Sequence, residues 1–207
     1  MTGKGIKIGT IWGQPLTIHS TFLLAMGLFV LFGGLIMIPI LMMVFVSILL
    51  HELSHVAVAR YYGYGFKGII LHGLGGAALI MPRRSFNVKE SVNIALAGPA
   101  VNFMLAFLTW VTFPLIPHQL VALFFGLNVI IGCFNLLPLF PLDGGRIFHA
   151  LIAKFWGLDA ANSTATWVTR FGAVALGAAG LAMGAYVLVL IAGLLFLSSW
   201  AQKEQVI

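Results

Sequence analysis

The chain holds 207 residues, 61% of them hydrophobic and 8% charged, whereas about a quarter of a soluble domain is charged. That balance excludes an ordinary soluble enzyme and points to an integral membrane protein in a lipid bilayer. The net charge of +6 reads as a topology signal, because the lysines and arginines fall between apolar runs; no nucleic-acid partner is expected.

In chain order, Met1 to Thr17 carries Lys4 and Lys7 but no apolar core ending in a small-residue cleavage site, so no removable signal peptide is expected. Within it, Gly5 to Ile11 and Pro15 to Ser20 alternate at the strand period around a Trp12-Gly13-Gln14-Pro15 turn, which predicts a short hairpin. A spanning helix needs about 20 apolar residues. Candidate runs lie at Ser20 to Met37, Ile38 to Arg60, Val92 to Leu115, Gln119 to Leu137, Trp167 to Gly180 and Leu181 to Trp200. The last two share a stretch that is short for two helices and long for one. Gly172, Gly177, Gly180 and Gly184 offer the turn or close packing that a pair requires, and Arg170 snorkelling to the cytoplasmic interface fits a pair. A single tilted span would instead leave the C-terminus outside.

Between the second and third runs, Phe66 to Met81 predicts another hairpin. Gly73, Gly75 and Gly76 break helix and permit close backbone approach, and the apolar flanks suit a re-entrant segment beside the second run. Its free edge would pair with an extended substrate, making Gly75 and Gly76 candidate substrate contacts. The plainer alternative is a surface hairpin at the headgroup level. Basic residues precede the first run and follow the second, fourth and sixth, while the connections after the first, third and fifth carry none. By the positive-inside rule both termini are cytoplasmic. The expected fold is a polytopic all-α membrane protein of about six spans with small β-hairpins, forming one domain over residues 1–207. Its lone Cys133 has no internal disulfide partner and reads as a small buried residue.

Five acidic residues serve the whole chain, and Glu52 lies inside His51-Glu-Leu-Ser-His55 in the apolar run from Ile38 to Ala59. An ionisable residue at the centre of a membrane helix costs roughly 2.5 to 3.5 kcal/mol even on lenient scales, so such a cluster is a functional site by default. His51 and His55, four residues apart, leave one helical face a turn apart, the spacing at which two imidazoles bind one zinc ion. Glu52 points about 100° round the helix. From there it stays out of the coordination sphere and takes a proton from water activated by the metal. A catalytic zinc needs a third protein ligand. Glu90 and Asp159 are expected in polar connections and Glu204 in the tail. Asp143, in Asn135-Leu-Leu-Pro-Leu-Phe-Pro-Leu-Asp143-Gly-Gly-Arg146, follows a run oriented like that of the histidines and is the candidate. Its bland alternative is a helix cap after a proline-glycine turn.

Together these residues resemble the site-2 protease family of intramembrane zinc metalloproteases. His51-Glu-Leu-Ser-His55 matches the first signature, Asn135 to Pro138 running into Leu142-Asp143-Gly144 the second, and Ala97-Gly-Pro-Ala-Val-Asn102 the intervening Gly-Pro and Asn element. The resemblance covers about residues 38–146. It implies one zinc held by His51, His55 and Asp143, water activated by Glu52, and cleavage inside a transmembrane protein substrate, with a prokaryotic cell membrane as location. It also places Asn135 close to the substrate or the developing oxyanion. No PDZ module is expected within the core and no cystathionine-synthase-type domain is expected after Trp200.

For Asn102 two readings stand, hydrogen bonding between helices and substrate contact; for Asn135 helix bonding is likewise the alternative to active-site duty. His72 reads as a polar residue satisfied locally, with a place in the cleft or at a second metal as its alternative. Two rival functions belong to other classes. A metal transporter would need polar residues along a path to both faces, which the outward halves of the spans lack. An inactive homologue that binds membrane helices would not need His51, Glu52, His55 and Asp143 intact.

Overall fold

A computed structural model describes residues 5–72, 75–81, 87–115 and 118–201. The elements run β1 (Gly5–Ile11), β2 (Gln14–His19), α1 (Ser20–Gly33), α2 (Met37–Tyr61), β3 (Gly65–His72), β4 (Gly75–Met81), α3 (Val88–Thr112), α4 (Gln119–Asn135), α5 (Asp143–Ala182) and α6 (Tyr186–Ala201). The chain divides into two compact units, residues 1–86 with 97–132, and 87–96 with 133–207.

In the first unit both expected hairpins form. Trp12 and Gly13 take positive φ of 50° and 77°, the handedness that lets a two-residue turn follow the strand twist. The Arg60 guanidinium lies 5.0 Å from the Trp12 ring and Phe66 meets it edge-on. The hairpins are not separate, however. β2 pairs parallel with β3 through Leu16↔Ile69, Thr17↔Ile70 and Ile18↔Leu71, giving one four-stranded sheet in the order β1-β2-β3-β4. Leu16, Ile69 and Leu71 pack with Val56 of α2 and Phe22 of α1. The β2–β3 pairing joins strands separated by two helices, which local alternation cannot reveal.

Gly63, with φ 80°, ends α2. Its N–H reaches the Arg60 carbonyl and the Tyr64 N–H reaches that of Ala59, the paired bonds of a Schellman motif. Tyr64 is buried, and the turn sends the chain into β3 alongside the helix it has just left.

In the second unit α5 is not the short span expected from Trp167. It starts at Asp143 and breaks at Gly157, whose φ of 84° and ψ of 169° are not helical. His149 Nε2 and Asn162 Oδ1, 2.7 Å apart, bridge the break. Glu90 and Asp159 both lie within helices, not in polar connections. A second Schellman turn at Gly184 leads into α6, so the last apolar stretch is a pair of helices, with the turn at 183–185. Leu139, Ala173 and Leu195 form the unit's core, and Arg170 bonds Ser199 with the Trp200 ring 4.5 Å from its guanidinium.

The protein is mostly helical. Among the described residues, α2, α3 and α5 are long and apolar enough to cross a membrane; α1, α4 and α6 are shorter apolar helices. Leu31, Phe32, Phe107, Trp110, Phe171 and Val187 are all exposed, a surface that suits hydrocarbon and not water.

Candidate metal centre

His51 and His55 are both buried, on adjacent turns of α2, with ring centroids 4.7 Å apart and planes at 83°. A Cβ built at Gly98 of α3 would collide with Nε2 of both rings. The two nitrogens therefore converge on bare backbone, and the glycine of the Gly98-Pro99 pair is required by the space they occupy. His51 Nδ1 lies 2.6 Å from Asn102 Oδ1, and Asn102 Nδ2 donates to Asn128 Oδ1 at 3.0 Å. Asn128 Nδ2 in turn donates to the Phe124 carbonyl at 2.9 Å. Both amides are fully buried. The sequence reading named Asn102 but missed Asn128, whose only signal is an amide in the apolar stretch of α4.

Glu52 is half-buried beside the sheet edge. The Ala78 N–H of β4 donates to Glu52 Oε2 at 3.0 Å, and a Cβ at Gly76 would fall 2.5 Å from Glu52 Cγ. Gly76 is thus the position at which the strand comes closest to this side chain, while Gly75 pairs with His72 across the hairpin. Burial lowers the pKa of His72 below the ordinary imidazole value; the Glu52 carboxylate opposes that shift and His19 adds to it.

In the second unit, Asp143 is buried in the first turn of α5. It is not the helix cap. That position belongs to Leu142, and no side-chain bond caps the helix. A carboxylate there is favoured by the helix dipole, and Arg146 Nη1 stands 4.0 Å away on a largely exposed side chain. The glycines after Asp143 have a local cause. A Cβ at Gly144 would strike the Leu136 and Leu137 carbonyls, and one at Gly145 the Leu139 backbone, so the turn from Asn135 folds flat against the helix it starts. Thr169 Oγ1 accepts from the Phe140 N–H at 2.9 Å and braces that turn from α5. Asn135 closes α4, half-buried.

His51 and His55 in the first unit and Asp143 in the second are buried residues whose side chains can serve as metal ligands. Two neutral imidazoles and one carboxylate are a donor set that suits zinc, and His51 has the outer hydrogen bond that zinc-ligating histidines almost always carry. The residues present fit a zinc ion.

Comparison with known proteins agrees. Residues 39–118 and 114–179 match the family described as Peptidase family M50. The zinc metalloprotease MJ0392 of Methanocaldococcus jannaschii is 30% identical over 210 residues, covering 96% of this chain and 60% of that protein. Stage IV sporulation protein FB of Bacillus subtilis is 32% identical over 109 residues, covering 52% of this chain and 38% of that protein. The chain thus spans less than two thirds of these relatives. A solved structure, the site-2 protease from Methanocaldococcus jannaschii, superposes with a TM-score of 0.75 at 28% identity, covering 96% of this chain and 95% of that one. A match that runs from α2 well into α5 and takes in both histidines, Glu52 and Asp143 places the chain in peptidase family M50.

Proposed function

We propose that this protein is an intramembrane zinc metalloprotease that cleaves peptide bonds within transmembrane segments of membrane-protein substrates. One observation carries the reading. The Nε2 atoms of His51 and His55 converge on Gly98 within one unit, and these two imidazoles together with the buried Asp143 carboxylate supply the three protein donors that a catalytic zinc takes. When bound, zinc supplies Lewis-acid chemistry, polarising a peptide carbonyl and lowering the pKa of water toward 7.

The chain's own groups supply the rest. Glu52 accepts the proton of the attacking water and passes it to the departing amine. The Ala78 N–H orients that carboxylate in the resting state. Asn135 faces the substrate or the developing oxyanion. A helical substrate hides its carbonyls in internal hydrogen bonds, so the segment to be cut must unwind first. The outer edge of β4, with Gly75 and Gly76 at its start, accepts the unwound segment as an added strand. The six helices cross the bilayer six times with both termini cytoplasmic, a topology supported by the alternation of basic and non-basic connections.

Glu52→Gln is the decisive variant. It should lose cleavage by several orders of magnitude while retaining near-stoichiometric zinc, measured as membrane-protein fragments by mass spectrometry beside metal analysis of the purified chain. Full activity in that variant excludes Glu52 as proton acceptor. Wild-type zinc content surviving His51→Ala, His55→Ala and Asp143→Ala in turn sinks the ligand set.

A further inference from the structure

The hydrogen bonds behind His51 run in one direction, and a main-chain atom sets that direction. A carbonyl oxygen only accepts, so Asn128 must present Nδ2 to Phe124 O, 2.9 Å away, and its Oδ1 to Asn102. Asn102 then presents Nδ2 to Asn128 at 3.0 Å and Oδ1 to His51 at 2.6 Å. Turning either amide over would set two acceptors against each other in a fully buried site, where an unmade bond costs most. His51 Nδ1 is therefore the donor. In the neutral ring the lone pair sits on Nε2, the nitrogen that faces Gly98 beside His55 Nε2.

We infer that Asn102 and Asn128 form a buried amide relay, anchored on the Phe124 carbonyl, that sets the His51 tautomer and holds its Nε2 ready for the metal. They are positioning residues, coupled to the site through His51. The inference rests on the zinc reading proposed above, and it accounts for Asn102 without a substrate contact. Both ends of that amide are already engaged by the protein.

Two measurements on the purified chain test it. The first is the His51 tautomer in metal-free protein, read from nitrogen-15 side-chain NMR with His51→Gln as the assignment control. Wild type should carry its proton on Nδ1, as should Asn102→Asp, which keeps the acceptor toward His51 although it loses the donor to Asn128. Asn102→Ala should shift toward Nε2–H or a mixture. The second is zinc affinity by competition with a chromophoric chelator. Asn102→Ala should weaken binding by about 10- to 100-fold, the range for removing an outer partner of a metal ligand. Asn128→Ala leaves the His51 bond in place but frees the Asn102 amide to turn over; it should show mixed tautomers, and it decides the matter if Asn102→Ala does not fold. An Nε2–H His51 in the wild type overturns the inference, as does an unchanged tautomer or unchanged zinc affinity in the alanine variants. A wild type that binds no zinc refutes the metal reading and the affinity claim with it, while the tautomer measurement still passes or fails the proton order by itself.

Discussion

At the scale of single residues, the face of α2 that carries the histidines has one misfit. Ser47, one turn before His51, is fully buried, and its hydroxyl has no partner among the described residues. A buried hydroxyl without a bond costs about 1–3 kcal/mol, so Ser47→Ala should leave stability unchanged or raise it by about 1 kcal/mol, read as the midpoint of thermal unfolding in detergent. A clear loss of stability would show that the hydroxyl is bonded in the working protein. Gly98 gives the opposite expectation. Gly98→Ala puts a methyl group where the two Nε2 atoms converge, and zinc affinity should fall roughly tenfold or more, the scale on which misplaced ligands act. Unaltered affinity would mean that the metal lies elsewhere. The pairing of His51 with His55 was legible from spacing alone, because four residues make one helical turn whatever surrounds the helix. The need for Gly98 was not. Its cause is a pair of side chains more than forty positions earlier.

At the scale of elements, the sheet decides which strand can take up a substrate. β3 is paired on both sides, so proline at Ile69 or Leu71 would break the sheet and say nothing about docking. Of the two edge strands, β1 and β4, β4 is the one beside Glu52. The Ala78 N–H points away from β3 toward Glu52, and by strand alternation the Ile80 N–H points the same way while that of Ala77 faces β3. Ile80→Pro should therefore cut substrate processing by about tenfold, roughly one lost charge-free hydrogen bond, with zinc and fold retained. Ala77→Pro should instead lower the unfolding midpoint, because it removes a ladder donor. Equal processing by Ile80→Pro and wild type would place the docking edge elsewhere. Each hairpin was visible in local alternation and glycines. Their fusion into one sheet was not, since it joins strands on either side of α1 and α2.

At the scale of the whole molecule, six spans with cytoplasmic termini remain the reading to test, because α1, α4 and α6 are shorter than an ordinary crossing. Reporter fusions after Gly33 and Phe113 should mark the outer face, and fusions after Tyr61 and Trp200 the cytoplasmic face; a Trp200 fusion reporting outside would remove the sixth crossing. By itself the sequence determined the membrane class, the apolar helices, the two hairpins and the zinc-binding residue types. All of these follow from composition and from periods shorter than one element, which burial in hydrocarbon imposes on any neighbours. Tertiary structure alone decided the parallel β2–β3 pair, the reach of α5 back to Asp143, the amide relay through Asn128 and the approach of β4 to Glu52. Those depend on which distant segments lie side by side, and neither hydrophobic period nor residue spacing carries that information.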